Sequence, residues 1–253
     1  MHTTIHPRLP VARPLVIAHR AGNDLATARR AEALGADLVE VDVWSYRQRI
    51  ELRHVKTMGP LPLLWDRWTL QPGWRHRFVL SELLAGTKVD TRLLLDLKGK
   101  DTSLAEHVVA TIRGGQPARQ IILCGRNWAQ LDPVAADEEL TIFYSVGSDD
   151  ELRAVWAKLA RTAHPAVSIH ARYLTPRLTQ RFHDARTTVI SWPINDIALA
   201  RHLFDLGVDG FTTDNIPLLE RIARDRVRWL TDPNPSDQTH APHRDTTPVP
   251  AED

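Results

Sequence analysis

The sequence predicts an α/β protein folded as a single (β/α)8 barrel. Eight short β-rich runs alternate with helical stretches along the 253 residues, which is the pattern of a parallel α/β protein. The centres of several runs are continuously apolar, as strands buried on both faces should be. Most runs are followed by a helix, and this favours a closed barrel over an open doubly wound sheet.

Each predicted element follows from the local pattern. The strands are β-rich runs bounded by turn residues, at 15–19, 38–43, 92–98, 121–124, 140–145, 166–170, 188–192 and 210–212. The helices are the intervening periodic stretches, at 25–34, 80–85, 103–112, 149–159, 176–185, 196–206 and 216–226. A further extended run covers 49–53. The stretch 56–74 is dense in Pro, Gly and Trp, which predicts a long loop instead of a regular element.

The composition predicts one folded domain with a polar segment at each end. We expect the barrel at 14–230, an N-terminal extension at 1–13 and a disordered tail at 231–253, which has almost nothing apolar to bury. The 32 Lys and Arg nearly balance the 31 Asp and Glu. A net charge of +1 therefore gives no electrostatic reason to expect nucleic acid or an anionic membrane as the main partner.

The cellular context also follows from composition. The single cysteine, Cys124, excludes an internal disulfide and a thiolate zinc site. No segment approaches the roughly 20 apolar residues of a spanning helix, and the N-terminus lacks the pattern of a signal peptide. We therefore expect a cytoplasmic protein without a transmembrane segment. The oligomeric state is left open.

Three carboxylates are predicted to meet at one end of the barrel. Glu40 and Asp42 lie two apart on the second strand, so both side chains point to the same face. Asp96 lies near the end of the third strand. Carboxylate oxygens are hard ligands that suit Mg²⁺ or Ca²⁺. A salt-bridged polar pair at a strand end is the alternative explanation for Glu40 and Asp42.

Basic side chains follow the same strand ends. His19 and Arg20 end the first strand, and His54 closes the extended run after the second. Imidazoles at these positions can move protons across a bound phosphodiester. Arg20 and Lys98 can hold its phosphate oxygens. Lys98 could instead only cap its strand.

Several other polar residues have an ambiguous pattern. Asn23 and Asp24 compete for the N-cap of the first helix, and Asp214 is expected to cap the last one. His170 and Tyr173 follow the sixth strand at the same end of the barrel, but they match no specific motif.

The order of these motifs resembles that of the glycerophosphodiester phosphodiesterases over about residues 15–219. The matching segments are Ile17-Ala18-His19-Arg20, Gly35-Ala36-Asp37 leading into Glu40-Val41-Asp42, His54, Trp192-Pro193-Ile194-Asn195, and Gly207-Val208-Asp209-Gly210-Phe211-Thr212-Thr213-Asp214. The resemblance implies a metal-dependent phosphoric diester hydrolase of lipid metabolism on a (β/α)8 barrel.

The resemblance also implies a role for each residue of the candidate site. It implies that the metal ligands are Glu40, Asp42 and Asp96. His19 and His54 would be the general acid and base, in an order that sequence does not decide. Arg20 and Lys98 would contact phosphate. Trp192 would line the pocket, although packing explains a tryptophan there equally well.

The chain departs from the family's usual pattern at three places. Ala21 replaces a glycine, Gly22-Asn23 stands where an acidic residue usually precedes the asparagine, and Val55 replaces the acid after the second histidine. Asp96-Leu97-Lys98 is more similar to the sphingomyelinase D-type phospholipases. These departures bear on the substrate.

Three functions are therefore open. The first is hydrolysis of a small-molecule glycerophosphodiester to glycerol phosphate and an alcohol. The second is lysophospholipase D-like cleavage of a lysolipid phosphodiester, including a route through a cyclic phosphate. The third is a barrel that binds a phosphorylated metabolite without turning it over.

Overall fold

A computed structural model of the chain describes residues 14–57, 63–66, 69–72 and 77–231. The strands in chain order are β1 (Leu15–Ala18), β2 (Leu38–Tyr46), β3 (Arg49–Leu52), β4 (Lys56–Thr57), β5 (Leu63–Asp66), β6 (Thr69–Pro72), β7 (Leu93–Leu97), β8 (Ile121–Gly125), β9 (Leu140–Val146), β10 (Pro165–His170), β11 (Thr188–Trp192) and β12 (Gly210–Thr213). The helices are α1 (Leu25–Ala33), α2 (Leu80–Gly86), α3 (Leu104–Gly115), α4 (Asp149–Leu159), α5 (Pro176–Asp184), α6 (Ile197–Asp205) and α7 (Ile216–Thr231).

Eight parallel strands close into a barrel, which confirms the predicted fold class. Their order is β1, β2, β7, β8, β9, β10, β11 and β12, and β12 pairs with β1 to complete the circle. At the other side of β1, Ile17 pairs in register with Leu38 of β2. The eight strands are those predicted from the apolar runs.

The barrel strands alternate between two apolar layers. One buried cluster contains only strand residues and fills the interior, namely Leu15, Ile17, Leu38, Leu94, Ile122, Cys124, Phe143, Ala166 and Ile190. The larger cluster joins the outward faces of the strands to the helices. Side chains an even number of residues apart on a strand point to the same face. Glu40 and Asp42 therefore point into the barrel as Leu38 does, and Asp96 points inward as Leu94 does. The three carboxylates therefore lie above the interior layer, toward the carboxyl ends of the strands.

Asp24 and Asn215 cap the first and last helices. Asp24 Oδ1 accepts a hydrogen bond from the Thr27 backbone N–H at 2.8 Å, so Asp24, not Asn23, caps α1. At α7, Asn215 Oδ1 accepts from the Leu218 N–H at 3.0 Å. The expectation that Asp214 caps α7 is wrong, because its neighbour takes that position.

A hairpin extends β2 beyond the barrel. β3 pairs antiparallel with the end of β2, and the turn residues Arg47 and Gln48 both have positive φ values of 47° and 64°. Such a pair of left-handed residues matches the twist of a tight two-residue hairpin. Because β3 runs back alongside the end of β2, the Arg53 backbone reaches the Asp42 carbonyl and His54 returns to the Asp42 carboxylate.

The predicted loop at 56–74 is wrong for the residues that the structure describes there. β4, β5 and β6 form a separate three-stranded antiparallel sheet. Its strands have only two to four residues, and intervening Pro and Gly hide the alternation that indicates a strand. Leu64 is fully buried on the inner side of this sheet. Trp68 and Trp74 lie outside the described residues.

The ends of the predicted domain are not tested. The extension at 1–13 lies outside the described residues, as does the tail at 231–253 apart from Thr231. Within the described part of the chain, no helix is long and apolar enough to cross a membrane. The cytoplasmic location stays a prediction.

Candidate active site

Apart from Trp192, the predicted site residues lie together at the carboxyl ends of neighbouring strands, the end where barrel enzymes carry their active sites. Asp42 of β2 is the register partner of Asp96 of β7. Carboxylate oxygens of Glu40, Asp42 and Asp96 lie within 4.8 Å of one another. Glu40 and Asp42 are 3% and 0% exposed, so the structure brings the three acids into one largely buried group.

Burial makes the charges of this group unequal. Burial, and then the charges of Asp42 and Asp96, raise the pKa of Glu40 well above its ordinary value. Burial would also raise the pKa of Asp42, but contacts from His54, Lys98 and Asn23 overcome it and hold that pKa below its usual range. Asp42 is therefore ionised at neutral pH.

Two basic side chains neutralise part of this charge. Lys98 Nζ lies 3.0 Å from Asp42 Oδ1 and 2.5 Å from Asp96 Oδ2. Although burial alone would lower the pKa of Lys98, the carboxylates around it raise that pKa well above its ordinary value. Arg20 Nε lies 3.8 Å from Asp42 Oδ2, and the Arg20 backbone N–H donates a hydrogen bond to Glu40 Oε2.

The donor set fits a divalent cation. Glu40 Oε1 is buried and has no hydrogen-bond partner among the described residues. A buried carboxylate oxygen without a partner is costly, and a cation shared with Asp42 and Asp96 would remove that cost. Three converging carboxylates are ligands that Mg²⁺ and Ca²⁺ prefer. The cluster can therefore hold such an ion.

The two histidines lie near the carboxylates in different environments. Burial and the adjacent Arg20 charge lower the pKa of His19 to about 4, and Asp42 and Asp214 only partly oppose this shift. His19 is therefore neutral at neutral pH. His54 is 40% exposed, and its Nδ1 lies 3.5 Å from Asp42 Oδ2. That contact orients the ring and leaves Nε2 for another partner.

Asn23 belongs to the site, and sequence reasoning placed it elsewhere. Its Nδ2 donates to Asp42 Oδ2 at 2.8 Å, and its Oδ1 accepts from the Asp42 backbone N–H at 2.9 Å. Gly22 allows this approach, since a Cβ there would lie 2.6 Å from the Val41 Cβ. The signal was available, because a Gly-Asn pair directly after His19-Arg20 brings an amide to the carboxyl end of β1.

A second group missed from the sequence holds the segment of His54 in place. Arg53 is 5% exposed, and its Nε lies 2.9 Å from Glu51 Oε2 in a buried ion pair. Its guanidinium packs over the Trp44 ring at 4.6 Å and donates to the Val55 carbonyl, while its backbone N–H donates to the Asp42 carbonyl at 3.1 Å. These contacts bracket His54 on both sides.

Trp192 lies on another part of the rim. Its Nε1 donates to the Ser168 carbonyl at 3.1 Å, and its ring meets the His170 ring edge-on, with 5.0 Å between centroids. His170 also contacts Tyr173, whose hydroxyl accepts a hydrogen bond from Arg172 at 2.7 Å. Trp192 therefore belongs to an aromatic and basic cluster at the ends of β10 and β11.

Comparison with solved structures places this fold among known barrels. No family model and no curated protein matches the sequence. A phosphodiesterase from Oleispira antarctica, solved with the product sn-glycerol-3-phosphate, superposes with a TM-score of 0.66 at 19% identity, covering 84% of this chain and 97% of that one. A glycerophosphodiester phosphodiesterase from Parabacteroides distasonis gives 0.65 at 20% identity, covering 85% and 98%.

A barrel of different activity is similar as well. Tryptophan synthase from M. tuberculosis superposes with a TM-score of 0.54 at 15% identity, covering 84% of this chain and 91% of that one. Because barrels host many reactions, similarity at these identities establishes the architecture and leaves the chemistry to the site. The chain has the (β/α)8 fold of the solved glycerophosphodiester phosphodiesterases, as its motifs predicted.

Proposed function

We propose that this protein hydrolyses a glycerophosphodiester to glycerol phosphate and an alcohol. The observation that carries the proposal is a three-carboxylate group at the carboxyl end of the barrel, with His54 in contact with Asp42 and His19 close enough for the charge of Asp42 to act on it. The similar fold of the Oleispira phosphodiesterase, which was solved with sn-glycerol-3-phosphate, supports the choice of substrate class.

Glu40, Asp42 and Asp96 would hold the divalent cation, Mg²⁺ or Ca²⁺. When bound, the cation supplies a positive charge that polarises a phosphoryl oxygen. Arg20 and Lys98 would add two donors on the same side. A diester carries one negative charge, and these two side chains would bind its non-bridging oxygens and stabilise charge gained in the transition state.

The histidines would move the two protons of the reaction. His19, neutral at neutral pH, accepts a proton from the attacking hydroxyl as its oxygen bonds to phosphorus. The hydroxyl belongs to water, or to the substrate's own glycerol, in which case the first product is a cyclic phosphate. His54, oriented by Asp42, donates a proton to the leaving alcohol oxygen as the phosphorus–oxygen bond breaks.

The test is phosphorus NMR of the purified chain with glycerophosphocholine, in Mg²⁺, in Ca²⁺ and in chelator. We expect cation-dependent loss of the diester signal, abolished in His19→Ala and His54→Ala. His107→Ala is the matched control, because His107 is an exposed histidine on α3. Absence of turnover with either ion would contradict the proposal and favour a barrel that only binds its phosphorylated ligand.

A lipid phosphodiester is the second candidate. The separate sheet of β4, β5 and β6 follows His54 directly, and it exposes Trp65 and Leu70, which are 45% and 60% exposed. Such a surface suits an acyl chain better than a small polar alcohol. Lysophosphatidylcholine in the same NMR experiment separates the two substrates, since only lysophospholipase D-like activity depends on the acyl chain.

A further inference from the structure

The three-stranded sheet presents an apolar surface to solvent. Antiparallel pairing places Trp65 opposite Leu70 and Lys56, and Leu63 opposite Pro72. Because side chains alternate along a strand, these residues share one face while Leu64 is buried behind it. We call Lys56, Leu63, Trp65, Leu70 and Pro72 the outer face.

Two large apolar side chains of the outer face are exposed to solvent. Trp65 is 45% exposed and Leu70 is 60% exposed, although they are cross-strand neighbours that could have been buried together. Neighbouring apolar side chains left in water mark interaction surfaces more often than single ones do. The exposed pair therefore indicates that the outer face is an interaction surface.

The charge of the surrounding sequence indicates the kind of partner. Residues 54–78 contain four basic residues, Lys56, Arg67, Arg75 and Arg77, and one acidic residue, Asp66. The same segment contains three of the eight tryptophans of the chain. Tryptophan beside lysine and arginine is the composition of segments that lie at a lipid–water interface. The net charge of the whole chain conceals this local excess.

We propose that the outer face docks on the surface of an anionic lipid bilayer. Trp65 and Leu70 would enter the interfacial layer, and Lys56 on the same face would be attracted to acidic headgroups. Docking of a second copy is disfavoured, because it would bring two basic segments together. Pro72 also lies on the edge strand β6, where a missing N–H hinders pairing with another strand.

The sheet lies close in the chain to the candidate active site, so docking would affect where that site is held. Lys56 begins β4 two residues after His54, so docking would hold the carboxyl end of the barrel close to the lipid. The inference goes beyond the proposed function and does not depend on it, because attachment to vesicles is measured without turnover. A negative result for vesicle binding would not contradict the proposed hydrolysis, and a negative result for hydrolysis would not contradict the docking.

The experiment is co-sedimentation of the full chain with vesicles. One set contains phosphatidylcholine with about 30% phosphatidylglycerol, and the other contains phosphatidylcholine alone. We expect binding to the anionic set that weakens when NaCl is raised from about 0.1 M to about 1 M. Trp65→Ser and Leu70→Ser should each weaken binding about fivefold, since each removes a half-exposed apolar side chain.

Leu230→Ser is the matched control. Leu230 is 49% exposed on α7, so this change removes similar apolar surface away from the sheet, and it should leave vesicle binding unchanged. Circular dichroism checks that each variant keeps its fold. An equal loss in Leu230→Ser, or no vesicle binding by the unaltered chain, would overturn the proposal. So would a dimer in light scattering that Trp65→Ser dissociates while vesicles are not bound.

Discussion

Asn23 and Asp42 are joined by two hydrogen bonds in opposite directions. The amide of Asn23 donates to the carboxylate of Asp42 at 2.8 Å, and the backbone N–H of Asp42 donates back to the amide oxygen at 2.9 Å. The pair ties the segment after β1 to β2. It also fixes the direction of a carboxylate that Lys98 and His54 contact as well.

Replacing Asn23 should therefore impair the site more than the fold. We expect Asn23→Ala to lower kcat/KM about 10- to 100-fold, as loss of a residue that orients a metal ligand commonly does. Asp24→Ala is the control next to it, because it removes only the cap of α1. That variant should lose about 1 kcal/mol of unfolding free energy and keep its activity. Equal activity losses in the two variants would show that Asn23 acts only through stability.

Lys98 should substitute in part for a divalent cation. In Lys98→Met the three carboxylates lose a positive charge, so we expect the chelated protein to lose about 1–3 kcal/mol of unfolding free energy. Added Mg²⁺ or Ca²⁺ should then raise the melting temperature more in this variant than in the unaltered chain. Lys158→Met removes a half-buried lysine that pairs with Asp132 and is as exposed as Lys98, at 31%, and it should show no such gain. Identical cation-induced shifts in all three proteins would contradict this role.

The lowered pKa of His19 gives stability a specific pH dependence. The folded chain resists protonating His19 until about pH 4, whereas the unfolded chain takes up the proton near pH 6.5. The unfolding free energy should therefore fall as pH drops from 6.5 toward 4, by at most about 3 kcal/mol. His19→Gln should remove this part of the pH dependence. Urea unfolding in chelator at several pH values checks the difference, and parallel curves would refute it.

The buried pair of Glu51 and Arg53 should support both the hairpin and His54. Arg53→Met leaves the buried Glu51 carboxylate with only the more distant Arg49 guanidinium, 3.8 Å from Oε1, which costs about 3 kcal/mol. Changing both residues, as Glu51→Leu with Arg53→Met, should recover much of that stability in urea unfolding. Activity should stay low in the double variant, because the contacts around His54 are still missing. Full recovery of kcat would show that Arg53 has no positioning role.

The barrel could be predicted because each of its strands is recognisable from a short stretch of consecutive residues. Runs such as Ile121-Ile122-Leu123-Cys124 are buried and stay apolar throughout, so they stand out from the polar turns on either side of them. Glu40, Asp42 and Asp96 stood out because ionisable groups on apolar strands need a partner. Their convergence then follows from strand order alone.

The rest depended on contacts between segments distant in sequence. Asn23 reaches Asp42 across nineteen residues. Its position after His19-Arg20 brings an amide to the carboxyl end of β1, but the sequence does not show which side chain that amide contacts. The sheet of β4, β5 and β6 was not predicted, because its strands are too short to show the alternation of apolar and polar residues. Arg53 reads as an ordinary charge at the end of a strand, and only the packing of Trp44 and Glu51 around it shows that it is buried.

His54 lies on the short segment between β3 and β4, so the candidate active site and the outer face share one stretch of backbone. If contact of the outer face with lipid restricts the freedom of His54, then a ligand that needs an ordered His54 binds more tightly on the membrane. Thermodynamic linkage makes this reciprocal, so the same ligand must strengthen attachment to the vesicle by the same factor. The chain would then dwell longest on those membranes that contain its substrate, and it would leave as the substrate is consumed.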